Sequence, residues 1–209
     1  MIGKNKKIIG LVFFYVASVC CLTVLSQTVD GLVRKFLPPN SAVETLRSFN
    51  ASTKAESKSP AAKIGQISGK GAKDLAFVYK TGGQLKLRVV GDVEGKGNLL
   101  DQDLPGGFLW MQDFATIGFQ VLDLNGDGLD EIVTITSDGA SLGGFLNIYT
   151  VRNRHMENLL DCPVDGYKFE FETGADGKYK IQIHGKGVNK ESSTVEMIKW
   201  DGKKFKRNM

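Results

Sequence analysis

The segment DLNGDGLDEIV, residues 123–133, places oxygen-bearing side chains at alternate positions: Asp123, Asn125 and Asp127, followed by Gly128, Leu129 and the acidic pair Asp130 and Glu131. Calcium takes six to eight hard oxygen ligands in a flexible shell, and alternation in a tight loop turns every second side chain to the same side. Gly128 permits the sharp bend that brings the next backbone oxygen round, so the carbonyl of Leu129 joins the expected set. An EF-hand would place Glu at the twelfth position, which here is Thr134, inside a β-branched run. Glu131, at the ninth position, is the expected closing ligand. Asp130 is expected to face solvent if Glu131 faces the ion. The expected ligands are therefore Asp123, Asn125, Asp127, Leu129 and Glu131, with Ca2+ as the cofactor. The competing reading is a hairpin turn rich in Asp, Asn and Gly for conformational reasons alone. Turn chemistry does not require three alternating oxygen-bearing side chains followed by an acid, and calcium is preferred on that ground.

Other chemistry finds little to build on. The two histidines, His155 and His184, have no Cys or His neighbour at metal-ligand spacing, which argues against zinc. No Walker loop, G-x-S-x-G or H-E-x-x-H occurs. The glycine pairs Gly82–Gly83, Gly106–Gly107 and Gly143–Gly144 precede no helical pattern and read as turns. Asp101, Asp103, Asp113 and Asp138 supply carboxylates, but nothing selects a pair suited to glycoside hydrolysis. The chain is expected not to be an enzyme and to have no small-molecule substrate.

The elements around the loop read as strands. DLAFVYK, QLKLRVV, FQVLDL, EIVTIT, FLNIYTV, YKFEFE, YKIQIHG and TVEMIKW alternate or run apolar, each bounded by Gly, Asp or Asn. No helical stripe follows Pro60, so an all-β domain is expected. The loop also has sister copies. QISGKGAKDLAFV matches in frame, with Gly69 over Gly126, Gly71 over Gly128 and Asp74 over Glu131. EFETGADGKYKIQI matches more loosely, with Asp176 and Gly177 over Asp127 and Gly128. In the first copy Gln66, Ser68 and Lys70 replace the ligands, and in the third Gly174 removes the middle one. One calcium is expected, in the central copy only. The spacing sets three repeats, 63–107, 108–161 and 162–209, within the period range of propeller-type units.

The acidic loop leading into an apolar strand, the outer hairpin MIKWDGKKF and the stretch FLPP at Phe36–Pro39 together resemble the FG-GAP or VCBS repeat family, over about residues 36–205. What the resemblance implies is a small membrane-anchored bacterial protein with propeller-blade-like antiparallel repeats, integrin-alpha-like calcium loops and a binding role. Known propellers close with about four to eight blades. Three repeats imply a partial or compact β-propeller, or one completed by a partner.

Ahead of the repeats, residues 8–29 carry no charge and are rich in Val, Leu, Ile and Phe, after Lys4, Lys6 and Lys7. Roughly 20 apolar residues span a bilayer as a helix, whereas the apolar region of a secretory signal has about 7–15. The length favours an uncleaved transmembrane anchor in residues 1–29 over a cleaved signal. In either case the lysines stay inside and the bulk of the chain is exported, extracellular or periplasmic. Cys20 follows Val19, where a lipid-modified cysteine wants a small residue, and Cys162 alone remains outside the apolar run, so the exported part has no internal disulfide. Residues 30–62 read as a stalk, with SAVETLRSF as a short helix capped by Ser41 and Glu44.

The net charge of +4 owes much to the first three lysines, and without them the chain is close to neutral, so no nucleic-acid partner is expected. Trp110, in GGFLWMQDF, is expected in the core between repeats, with an exposed recognition patch as the sharper reading. The basic end KKFKRNM reads as a solvated last strand end and is only a weak pointer to an anionic surface. The functional expectation is a membrane-tethered module, stiffened by calcium, that binds a protein partner or a cell-envelope polymer. The alternatives are an accessory subunit of a larger membrane complex and, behind it, a carbohydrate-processing enzyme.

Overall fold

The computed structural model describes residues 29–208, apart from 51, 95–96, 113–114, 139–142, 166–167, 175 and 187–192. The expected membrane anchor in residues 1–29 thus lies almost wholly outside the described residues, and none of the described helices is long and apolar enough to cross a membrane. Among the described residues the architecture is mostly β, with one helix over residues 29–36.

Three antiparallel sheets follow one another along the chain. The first comprises β1 (Ser41–Val43), β4 (Ala62–Gly65), β5 (Asp74–Thr81), β6 (Gln84–Gly91) and β7 (Asn98–Asp103). Here β1 and β4 pair end to end along the same edge of β5, as two halves of one broken strand. Between them β2 (Thr45–Asn50) and β3 (Ala55–Pro60) form a projecting hairpin. The second sheet repeats the device. β8 (Phe108–Leu109) and β11 (Phe119–Leu122) share one edge of β12 (Glu131–Ser137), with the small hairpin β9 (Met111–Gln112) and β10 (Ala115–Thr116) between them. β13 (Gly143–Arg152) and β14 (His155–Asp165) complete it. The third sheet is a plain meander of β15 (Lys168–Thr173), β16 (Tyr179–Lys186), β17 (Ser193–Trp200) and β18 (Phe205–Asn208).

The two breaks are bonded alike. Glu44 N–H donates to the Val78 carbonyl (2.9 Å), and Trp110 N–H to that of Ile135 (2.8 Å). Val78 N–H donates to Ala61 O, and Ile135 N–H to Gly118 O (both 2.9 Å). The ladder therefore runs past each gap, and the inserted hairpins leave it without losing a backbone bond. They also touch each other, through Arg47 N–H donating to Thr116 Oγ1 (3.1 Å).

Alternation decides which faces are buried. Ala76, Val78, Leu85, Leu87 and Val89 of the first sheet pack on Phe119, Ile132, Tyr149 and Val151 of the second. The other face of the second sheet, with Val133, Ile135, Leu146 and Ile148, packs on Phe169, Ile181, Ile183 and Ile198 of the third. Trp110 belongs to this second layer, edge-on to Phe169 at 5.3 Å, so of the two readings of Trp110 the structure supports packing between repeats. The free face of the first sheet, with Leu75, Phe77, Tyr79 and Val90, is covered by the helix through Val29, Leu32, Val33 and Phe36, a spacing that lines one helical face. Arg88 fastens the end of this helix: Nη1 donates to the Phe36 carbonyl (2.6 Å), while Nε and Nη2 grip both oxygens of Asp101.

The stretch SAVETLRSF, expected as a helix, is strand. Ser41–Val43 pair along the open edge of β5, Thr45 onward enters the hairpin with β3, and Glu44 pairs with Lys80 at 3.3 Å instead of reaching back to Ser41. Tertiary pairing outweighs the local cap. Within the expected stalk, β1 joins the first sheet while β2 and β3 project from it as a hairpin. The boundary between 161 and 162 falls inside β14. Gly82 and Gly83 form the β5–β6 turn at φ 55° and 83°, a conformation a two-residue hairpin needs and glycine supplies. Gly143 and Gly144 lie within β13.

Arg88→Met is expected to cost about 2–3 kcal/mol, since it strands Asp101 and uncaps the helix in a half-buried setting. Urea unfolding of the full chain in mild detergent measures the loss, and limited proteolysis should show the new cut around residues 29–40.

Candidate metal centre

The eight residues between β11 and β12 form the acidic loop, and its side-chain oxygens are turned onto its own amides. Asp123 accepts hydrogen bonds from the N–H groups of Gly126 (2.8 Å), Asp127 (3.2 Å) and Gly128 (2.8 Å). Asn125 Oδ1 accepts from Asp127 N–H (2.9 Å), and Asp127 Oδ1 from Leu129 N–H (2.8 Å). Gly126 and Gly128 adopt φ of 78° and 87°. Asp123 is half-buried, Asn125 buried and Asp127 exposed, so the ligand positions step from the sheet out to solvent.

Glu131, the first residue of β12, is only 1% exposed. Its carboxylate lies beneath the loop, with Oε2 taking Leu124 N–H (2.9 Å) and Oε1 taking Asn125 Nδ2 (2.7 Å). Burial pushes this carboxyl up to about 8 against those two bonds, and repulsion from Asp127 and Asp123 adds to the rise.

The sister loop of the first sheet provides a control. Asp74, fully buried at the head of β5, accepts from Ile67 N–H (2.9 Å), from the N–H and hydroxyl of Ser68, and from Asp92 N–H (2.9 Å). Ile67 and Ser68 stand in the places of Leu124 and Asn125. A loop whose ligand positions hold Gln66, Ser68 and Lys70 therefore uses a buried acid at the aligned position in the same way. The position of Glu131 is explained by loop fastening, whether or not an ion is present. In the third sheet the loop between β15 and β16 is shorter, Lys180 stands where Glu131 does, and Glu172 pairs within the ladder instead of entering the loop.

The three loops meet along one edge of the stack. Gln66 N–H donates to Asp130 Oδ2 (2.7 Å) and Asp130 N–H to Gln66 O (3.0 Å), joining the first loop to the second. Tyr179 N–H donates to the Leu124 carbonyl (3.0 Å), joining the second to the third. Asp130, expected to face solvent, is thus an intersheet clasp. The sheets come so close there that a Cβ on Gly65 would stand 2.6 Å from Asp130 Oδ2 and 2.8 Å from Val121 Cγ1. Cations flank the central loop: a Cβ on Gly128 would meet Lys70 Nζ at 3.2 Å, and one on Gly126 would meet Lys178 Cγ at 3.5 Å. Lys70 thus leans onto the acidic loop and away from the place in its own loop where the metal would sit.

Among the described residues no three His, Cys, Asp or Glu side chains stand arranged to hold a metal ion. The expected ligands lie in this loop and at the head of β12. Their chemistry fits calcium: the side chains offer only oxygens to an ion, each carboxylate bonded to loop amides keeps lone pairs, and the buried Glu131 has two acid neighbours that a cation would neutralise. Asp123, Asn125, Asp127 and Glu131, with the Leu129 carbonyl, would hold the ion, and the loop would draw in around it.

Sequence reasoning aligned Asp74 with Glu131 without giving Asp74 a role, and missed the clasp at Asp130. The alignment carried the first signal; the second needs the approach of two sheets and leaves no local trace. His155 is exposed at the start of β14, and His184 Nε2 lies 2.8 Å from Glu170 Oε2 on the third sheet. Cys162 is buried and unpaired.

Comparison with protein-family models, with curated proteins and with solved structures finds no match.

Replacing Asp74 by Ala orphans four donors and replacing Glu131 by Ala orphans two. Each buried donor left unsatisfied costs about 1–3 kcal/mol. In chelator Asp74→Ala is therefore expected to lower the unfolding free energy more than Glu131→Ala, as read from denaturant midpoints at constant slope.

Proposed function

We propose that this chain is a membrane-tethered, exported binding or scaffolding module of the FG-GAP or VCBS repeat type, with one calcium in its central loop. The observation that carries the reading is the edge where three sister loops join. The acidic loop is bonded to both neighbours, so an ion held there would stiffen all three sheets at once. Support for the repeat reading comes from the matched strand breaks and from the shared role of Asp74 and Glu131. The three sheets act as blade-like units, stacked in series to form a partial propeller. The anchor is inferred from the length and flanks of residues 8–29.

A second reading, an accessory subunit of a membrane complex, is favoured by one feature. Among the described residues no strand ladder joins one of the three sheets to another, and each keeps free edges.

Calcium loops of extracellular modules bind with dissociation constants of about 0.1–1 mM. At about 10 mM calcium the folded state would gain about 1.4–2.7 kcal/mol, a rise of a few degrees in unfolding temperature. Thermal unfolding of the full chain in mild detergent, with calcium or with chelator, should show that rise, and Asp127→Ala should abolish it while leaving the chelator curve nearly unchanged. An identical curve in calcium and chelator would reduce the loop to a turn.

A further inference from the structure

The binding surface can be sought where two free edges meet. Among the described residues β14 pairs only with β13, and β18 only with β17, so each ends its sheet. They lie side by side across the seam between the second and third sheets, bridged by Arg207, whose Nη1 donates to the Pro163 carbonyl (3.2 Å). Between them runs an open groove of about 730 Å3 lined by Asn158, Leu160, Asp161, Lys204, Phe205 and Lys206 among others.

The backbone of β18 is set up to pair. Asp201 N–H donates to the Lys204 carbonyl (3.0 Å), which makes that pair a bonded one. Bonded and non-bonded pairs alternate along an antiparallel ladder. Phe205, opposite Trp200, and Arg207, opposite Ile198, are therefore non-bonded pairs, and their N–H and C=O groups point outward to the groove. An unpaired row of this kind is a template for another strand.

Charge selects the strand. Lys206 lies beside Lys199 on the outer face of the third sheet, with Lys204 at the turn. Lys206 is held by Asp201 and Arg207 by Glu196, but Lys199 and Lys204 have no acid partner among the described residues. A second copy would set lysine against lysine across the new ladder, which opposes self-pairing. On the inner face Phe205 is buried beside the half-buried Leu160, an apolar floor.

We infer that this groove accepts an extended, acidic, amphipathic segment of a partner protein as an added strand on β18. Carboxylates at alternate positions lie against Lys204 and, in place of Asp201, against Lys206, and apolar side chains between them lie against Leu160 beside the buried Phe205. This rests on the reading of the chain as a binding module and is independent of calcium, whose effect is measured separately by unfolding.

A fluorescent peptide of alternating Glu and Val, eight residues long, tests it by anisotropy against the full chain in neutral detergent, with calcium and with chelator. Binding is expected in both. It should weaken about tenfold or more with Lys204→Glu, Lys206→Glu or the double variant, whose folding is checked by circular dichroism and whose surface positions leave the core intact. Methylating the peptide's backbone nitrogens on the edge that would pair should abolish binding, because strand addition depends on main-chain bonds. Equal binding of the methylated peptide, or inorganic polyphosphate or phosphatidylglycerol vesicles binding as well as the peptide and losing as much to Lys204→Glu, would overturn strand pairing in favour of plain anion attraction. No binding of the peptide would overturn the inference outright, with the calcium result untouched.

Discussion

A carboxylate buried at the head of the second strand is the constraint on which the rest of this molecule depends. Asp74 and Glu131 each enter the interior at the point where a long loop must return into a sheet, and each gathers in backbone donors that would otherwise be lost to water. The loop is thereby tied to its own strand, and once tied it can present its far side to the next loop. The clasp at Asp130 and the bond from Tyr179 to Leu124 both need loops already fixed in this way. The edge holds as a series of local closures.

The faces of the stack are terminated by different means. At one end an amphipathic helix replaces the sheet that would otherwise cover Leu75 and Phe77, and Arg88 holds its last turn in register. At the other end the outer face of the third sheet is polar, where Glu170 takes both Lys168 and His184 and is held below the usual carboxylate pKa by those two bonds, that from Lys168 the larger. An apolar face needs a cover and a charged one does not, which is how three sheets persist without closing a ring.

Strands with a period-two apolar pattern were legible in the sequence, because β5, β6, β12 and β13 bury residues in strict alternation or on both faces. The acidic loop was legible through residue type, and its sister copy through glycines kept in frame. What escaped was polar. The hairpin of β2 and β3 is exposed along nearly all its length, so ESKSP has no apolar alternation to report; its turn rests on Asn50 Oδ1 accepting from Ser52 and Thr53 N–H (3.0 and 3.2 Å). The Ser41 and Glu44 spacing mimicked a helix cap because capping is a local signal, whereas the edge of β5 that captured this stretch lies more than thirty residues on. The proposed ion site is the middle case. The residue types raise it as an expectation, but Glu131 has a structural reason to be where it is, so its acidity alone says nothing about metal.

The broken first strands deserve a separate reading. In both sheets the ladder continues across the gap as though the strand were whole, while the chain leaves and returns through the same opening, over residues 45–60 in one case and 111–117 in the other. Length in these excursions is uncoupled from the sheet. The gap is a port through which the chain leaves while the ladder keeps its bonds, with Leu46 and Ile117 of the excursions packed back on the core, and because the two ports open toward each other, a new segment in one would find the other already within reach.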